Sequence, residues 1–321
     1  MTRGAALSGA LLVTLALPST WPLALGVFLL RGGLVVVVLP IVVLPTPVGL
    51  GNLLAPTLTS VVFGGVSPGF VILVVAIVLA GLAWVVAGGL LAAILEAEAA
   101  RIVAAHEDVT RPAGIERHQV AADDLAVGLL PQAGAGRRAE AGRIFVARVV
   151  AHLPLGVVLV WGSARLVATT YHELTNPFDV ATPIVWRVLR ASPEVVVLIV
   201  VTWMIGQTLG SIAARVALTG SGTFGALRSA ALTVLRRPLP VFLGFSLPTL
   251  ALIVALAPSA IAASSAADLI RTAMSAPQEP AAAFLAVVLF VSLWIVGLAL
   301  TGVICAWRAA VWTVLVSEAS R

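Results

Sequence analysis

The chain has 321 residues, 60% of them hydrophobic and 10% charged, with a mean hydropathy of +1.12. Soluble domains carry about 25% charged residues, so this composition excludes a water-soluble globule and leaves membrane insertion. The formal charge of +5 comes entirely from Arg, with no Lys, and the pI near 11.1 reflects how few charges there are rather than a nucleic-acid-binding surface.

Cys305 is the only cysteine, so no intramolecular disulfide, CxxC motif or Cys-based metal site can form. The length suits about six spans in a single integral membrane domain, residues 1–321. The predicted fold class is all-α: a polytopic bundle of six transmembrane helices with amphipathic, interfacial entry helices.

Residues 1–31 open with Arg3 and an apolar stretch from Ala5 to Leu17, followed by Pro18, Pro22 and Arg31. The stretch is too short to span a bilayer. A broken interfacial helix leading into the first span is the favoured reading, and a signal peptide is the alternative. Trp21 suits the headgroup level.

The first span is predicted at 32–48. Residues 49–69 carry no charge and are broken by Gly64, Gly65, Pro68 and Gly69; an interfacial outer loop is favoured over a re-entrant hairpin. The second span, 70–95, is predicted to continue as a helix in which Glu98 and Arg101 sit one turn apart. A cytoplasmic loop, 96–143, is the most polar part of the chain.

The remaining spans are predicted at 153–170, 195–214, 239–257 and 281–306, with loops between them that include 258–280. Residues 220–260 show one unit most plainly: a partly polar helix from Thr223 to Arg237, an Arg-Arg-Pro corner, then an uncharged run of spanning length. This elbow reads as a helix on the membrane surface feeding a spanning helix, with Ser221 or Thr223 as its N-cap. Arg143–His152 reads as a second elbow before span three. Related pieces begin at Ala147, Trp186 and Leu232 and suggest an internal repeat, broken by the copy before span four.

The arginines set orientation. With both termini inside, 15 arginines fall on inner segments and 4 on outer ones, namely Arg165, Arg187, Arg190 and Arg271. That bias predicts a multi-pass protein of the cytoplasmic membrane with both ends cytoplasmic.

The segments ALRSAALTVLRRPLPVFL (226–243) and GRIFVARVVAHLPLGVVL (142–159), with the six-span layout, resemble the membrane domain of bacterial glycerophosphoryl diester phosphodiesterases and its stand-alone relatives. The resemblance covers the membrane part only. No phosphodiesterase domain is present, so that activity is not implied, and no family functional residue can be placed here.

Chemistry is mostly absent. The predicted spans contain no Asp or Glu, with Glu194 at the rim of span four, which disfavours a proton-coupled carrier. HEDVT at His106 lacks the second His of a zincin, and TGSGTFG at 219–225 lacks a P-loop Lys. No GxSxG motif is present. No catalytic residue, cofactor or metal is expected.

Two polar residues stand within predicted spans. Arg165 is read as snorkelling to the outer headgroups, or else pairing with Glu173, Asp179 or Glu194. Gln207 lies inside Gly206-Gln-Thr-Leu-Gly210, a close-packing face that Ala83, Ala87, Gly88 and Gly89 of span two are expected to meet. Arg143, Arg148, Arg228, Arg236 and Arg237 are the expected anionic-lipid contacts at the inner leaflet.

The function expected is a non-enzymatic membrane protein that engages lipid and organises with itself or other membrane proteins. The alternative is a permease, or a transporter's membrane subunit, for an apolar or lipid-like solute. The topology is testable by thiol labelling of intact cells in a Cys305→Ala background. Ala55→Cys, Thr175→Cys and Ala276→Cys should label from outside and Leu125→Cys should not; labelling at 125 overturns the orientation.

Overall fold

The structure, a computed structural model, describes residues 3–35, 37, 68–106, 135–175, 182, 184–275 and 280–319. Among these residues every regular element is a helix. In chain order they are α1 (Arg3–Ala16), α2 (Thr20–Phe28, running into a π turn Leu29–Gly33), α3 (Pro68–His106), α4 (Ala135–Thr175), α5 (Ile184–Ala191), α6 (Pro193–Leu218), α7 (Thr223–Arg236), α8 (Pro238–Ser275) and α9 (Pro280–Ala319). Five helices are long and apolar enough to cross a bilayer, and a sixth span is counted if the bent pair Leu7–Ala16 and Thr20–Gly33 is one. The chain is an all-α, multi-pass membrane protein.

Five of the six predicted spans fall within these long helices. The first, 32–48, lies outside the described residues beyond its first few, as do most of 49–69 and of the polar loop. The structure also corrects several boundaries. Residues 135–143, expected in the loop, are helical, while the expected continuation of span two is observed as helix to His106. The predicted loop 258–280 is helix α8 as far as Ser275, and α9 continues past the predicted end of the last span to Ala319. The second elbow does not exist: α4 runs unbroken from Ala135 through Pro154 to Thr175. Helix breaking by proline is not automatic in a membrane, where neighbouring groups satisfy the freed carbonyl.

Two elbows do form. At one, Arg237 (φ −132°, ψ 58°) separates α7 from α8, with Pro238 and its preset φ opening the new helix. At the other, Ser192 (φ −140°, ψ 50°) separates α5 from α6, again with proline next. The expected cap by Ser221 or Thr223 is absent: Gly222 is the N-cap of α7, in extended conformation and with no side-chain bond.

The chain divides into two compact units, Met1–Val109 with Leu243–Val314, and Thr110–Phe242 with Leu315–Arg321. In the first, α1 and α2 meet at a bend of 109°. The bend follows from Pro18, which has no N–H to continue α1. Carbonyls left open at the end of α1 find other donors: the Trp21 indole Nε1 donates to Thr14 O at 2.9 Å and the Thr20 hydroxyl to Leu17 O at 2.7 Å. The broken helix expected here is therefore observed, and it is packed: Ala10 and Thr14 are buried, and Trp307 Nε1 of α9 donates to Leu7 O at 3.2 Å. Gly302 lets α9 approach α2, since a methyl there would lie 3.3 Å from Trp21 O. Ala24, Leu252, Cys305 and Ala306 form the core at this point, with Trp21 and Phe28 against it.

The π turn packs against α3. Gly32 takes φ +101°, a conformation open to glycine and costly for other residues. Trp84 Nε1 donates to Leu30 O at 3.1 Å, and Arg31 forms an ion pair with Glu96. Glu96 is 4% exposed. It stands one residue beyond the predicted end of span two, which is why the sequence reading met no acidic residue inside a span. Farther along α3, the expected Glu98–Arg101 pair forms at 2.7 Å.

Removing one partner of a buried pair strands the other charge, whereas removing both often costs little. Glu96→Leu should therefore lower stability by about 3 kcal/mol, and the double change Arg31→Met with Glu96→Leu should recover most of the loss. Thermal unfolding in mild detergent reads this directly; equal melting temperatures for wild type and Glu96→Leu would show that the pair is not a buried constraint.

Candidate functional site

The second unit is built on an antiparallel seam between α4 and α6, with α7 packed alongside. The register is fixed along its length. At one end, α4 presents Arg165, Thr169 and Glu173, one helical turn apart. Arg165 Nε donates to Glu194 Oε1 at 3.3 Å, Thr169 and Ser192 share a hydroxyl hydrogen bond at 2.9 Å, and Arg187 Nη1 donates to Glu173 Oε2 at 3.2 Å. These rungs tie α4 to the start of α6 and to α5 before it. Next along the seam, Gly162 sits against Val195, where an added methyl would lie 2.8 Å from Cγ1.

Toward the other end the helices remain close. A methyl on Gly206 would lie 2.9 Å from His152 Cδ2 and 3.1 Å from the Ala151 carbonyl, and one on Gly210 would lie 3.2 Å from Arg148 Cδ. The face that meets Gly206 and Gly210 is thus Arg148, Ala151 and His152 of α4. The small residues of span two do not fill that role; Gly88 instead approaches Leu30 O of its own unit.

Arg148 and Gln207, assigned from sequence to separate roles, are brought together. Arg148 Nη1 donates to Gln207 Oε1 at 3.4 Å and Nη2 to Ser211 Oγ at 3.2 Å. Arg148 is 8% exposed. Its carbonyl accepts a bond from His152 Nδ1 at 2.8 Å, which requires the proton on that nitrogen. One turn beyond Ser211, Arg215 is 4% exposed and donates from Nη1 to Ser211 O at 3.3 Å.

With 26 residues, α6 is about 39 Å long. Along the axis, Gln207 lies about 2 Å from its midpoint and Ser211 about 8 Å. The Arg148 guanidinium is held beside them, buried inside the seam.

The other expected residues separate into two groups. Arg143 is half-buried: its Nη1 donates to Gly220 O at 3.2 Å, and its Nε is buried without a hydrogen-bond partner. Gly220 has φ +91°, a left-handed turn that ends α6 and aims this carbonyl outward from the helix. Arg228, Arg236 and Arg237 are exposed. On α7 they share the outward face with Phe224, Leu232 and Leu235, also exposed, while Ala226 and Ala230 are buried on the opposite face. Arg165 pairs with Glu194, one of the partners expected for it, and both side chains are more than 40% exposed. Such a pair contributes little to stability in water.

Sequence reading missed Arg215, Ser211, His152 and the Thr169–Ser192 rung. A spacing signal was there: Gln207, Ser211 and Arg215 recur every four residues, as do Arg165, Thr169 and Glu173, so each set shares one helix face. Comparison of the chain with protein-family models, curated proteins and solved structures finds no match.

The two glycines differ in what they face. At Gly206 the obstacles are the His152 ring and the Ala151 carbonyl, and the carbonyl cannot yield; at Gly210 the nearest is the flexible stem of an arginine. Gly206→Ala should destabilise more than Gly210→Ala, and Gly210→Leu should lower the melting temperature clearly, on the scale of overpacked cores at about 1–3 kcal/mol. Gln207→Leu should cost about 1 kcal/mol, since membrane hydrogen bonds are modest. An unchanged melting temperature for Gly206→Ala and Gly210→Leu would exclude this seam as a close helix contact.

Proposed function

We propose that this chain is a non-enzymatic protein of the cytoplasmic membrane, both ends cytoplasmic, that engages anionic lipid of the inner leaflet and organises the membrane around itself. The observation that carries the reading is the outward face of α7. There, exposed Phe224, Leu232 and Leu235 alternate with exposed Arg228 and Arg236, and Arg237 stands at the corner. Lying in the interface plane, this face puts its apolar side chains at the acyl boundary while the long arginine stems reach back to the phosphates. The corner at Arg237 supports this placement, because it sets α7 apart from the spanning helix α8. Attraction to an anionic surface acts within about a Debye length, about 8 Å at physiological salt.

A second reading, a permease or transporter subunit for an apolar or lipid-like solute, is favoured by one observation: the guanidinium of Arg148 buried between two long apolar helices. Charged groups inside helix bundles tend to line pathways. A co-purifying ATPase would favour this reading over the first.

The test of the first reading is the triple change Arg228→Gln, Arg236→Gln and Arg237→Gln. Mass spectrometry of protein purified in mild detergent should show loss of most co-purifying anionic lipid, with insertion unchanged because the other arginines hold the topology. Retention of the wild-type lipid complement would mean that these arginines set topology alone.

A further inference from the structure

Helix α5 joins the seam by one face and leaves the other bare. Val188 is buried, and Arg187 is held by Glu173 of α4. Ser192, fully buried and bonded to Thr169, fixes the corner into α6. On the opposite side Val185, Trp186 and Arg190 are exposed, with Leu189 half-buried beside them. At about 100° per residue, the order around that side is Val185, Leu189, Trp186, Arg190, spread over about 140°. Polarity rises in one direction along it: two aliphatic side chains, then an indole with its single N–H, then a guanidinium. Apolar residues scattered over a wet surface have no reason to follow such an order.

A bilayer surface presents the same order in depth: acyl chains, then the headgroup boundary where tryptophan is enriched, then phosphate. The apolar end of the α5 face also continues past the corner into the exposed surface of a spanning helix, at Val196, Val197 and Leu198 of α6. We propose that α5 lies in the membrane interface at the end of α6 remote from α7, its outward face seated on lipid of the leaflet opposite to the one α7 engages. The chain order sets the two apart, since α5 leads into the first residue of α6 and α7 follows its last after a short turn. The lipid need not be anionic: one outward arginine asks only for a phosphate, and the rest of the face is apolar. This goes beyond the α7 reading and stands without it, because it rests on a different helix and a different chemistry. The second unit is thereby held at both surfaces of the bilayer.

The experiment places a nitroxide on single cysteines of the full chain, in the Cys305→Ala background, reconstituted in phosphatidylcholine vesicles. Power saturation with oxygen against a water-soluble nickel chelate reads the depth of each label. Val185→Cys should lie deepest, Trp186→Cys next and Arg190→Cys shallowest. From first to last the shift should be up to about 9 Å, the chord between positions about 140° apart on a helix about 10 Å across. Equal and full access to the nickel chelate at all three would place α5 in water and overturn the proposal. Exclusion of both oxygen and nickel from all three would mean that protein covers the face, a second copy or another chain, and overturns it as well. A label at Phe224→Cys reads α7 separately: if it lies in water, the α7 reading fails while α5 stands. The leaflet is tested in intact cells. An impermeant maleimide should block one of Arg190→Cys and Arg228→Cys and spare the other; the same result at both overturns the opposite-leaflet placement.

Discussion

The close approach of α6 at Gly206 to the His152 ring and the Ala151 carbonyl of α4 governs much of what surrounds it. With no Cβ at that point, two long helices come together tightly enough that only one antiparallel register fits. That register places Arg148 beside Gln207 and Ser211, Thr169 beside Ser192 and Arg165 beside Glu194. A slip by one turn would separate every one of these pairs. In lipid, where burying apolar surface gives helices little reason to associate, close packing and interhelical hydrogen bonds supply the attraction. The seam has both, with polar rungs at one end and a buried guanidinium toward the other.

The first unit solves the related problem of a broken helix. Pro18 bends the chain, and the indoles of Trp21 and Trp307 supply N–H groups to carbonyls of α1. Tryptophan is suited to this work because its large apolar ring fills space while its single donor meets a backbone acceptor. Farther along, Trp84 repeats the device at Leu30. Arg31 and Glu96 then fix the π turn against α3 by charge.

Helices were legible because spanning helices announce themselves through length and apolar composition, which no soluble core needs to imitate. The corners were less so. Pro154 and Pro238 both follow basic, amphipathic stretches, yet one is crossed by a continuous helix and the other begins a new one. The difference is local: two adjacent arginines precede Pro238, and Pro240 follows it, whereas Pro154 stands alone. Arg148 was legible as a cation but not as a buried one. Its sequence neighbours resemble an interfacial entry helix, and only the partner helix, 59 residues from Arg148 at Gln207, shows that it belongs within the seam. Gln207 and the glycines around it were readable as a packing face; their partner was not, because small residues recur throughout this chain.

The placement of Arg148 bears on how the protein enters the membrane. A polar side chain on a spanning helix costs free energy until a partner is supplied. The partners of Arg148 are on α6, which is synthesised after α4, so this part of α4 is completed only when the later helix has packed against it. α5, with Arg187 paired to Glu173, lies between the two in the chain and is held to α4 by the same seam.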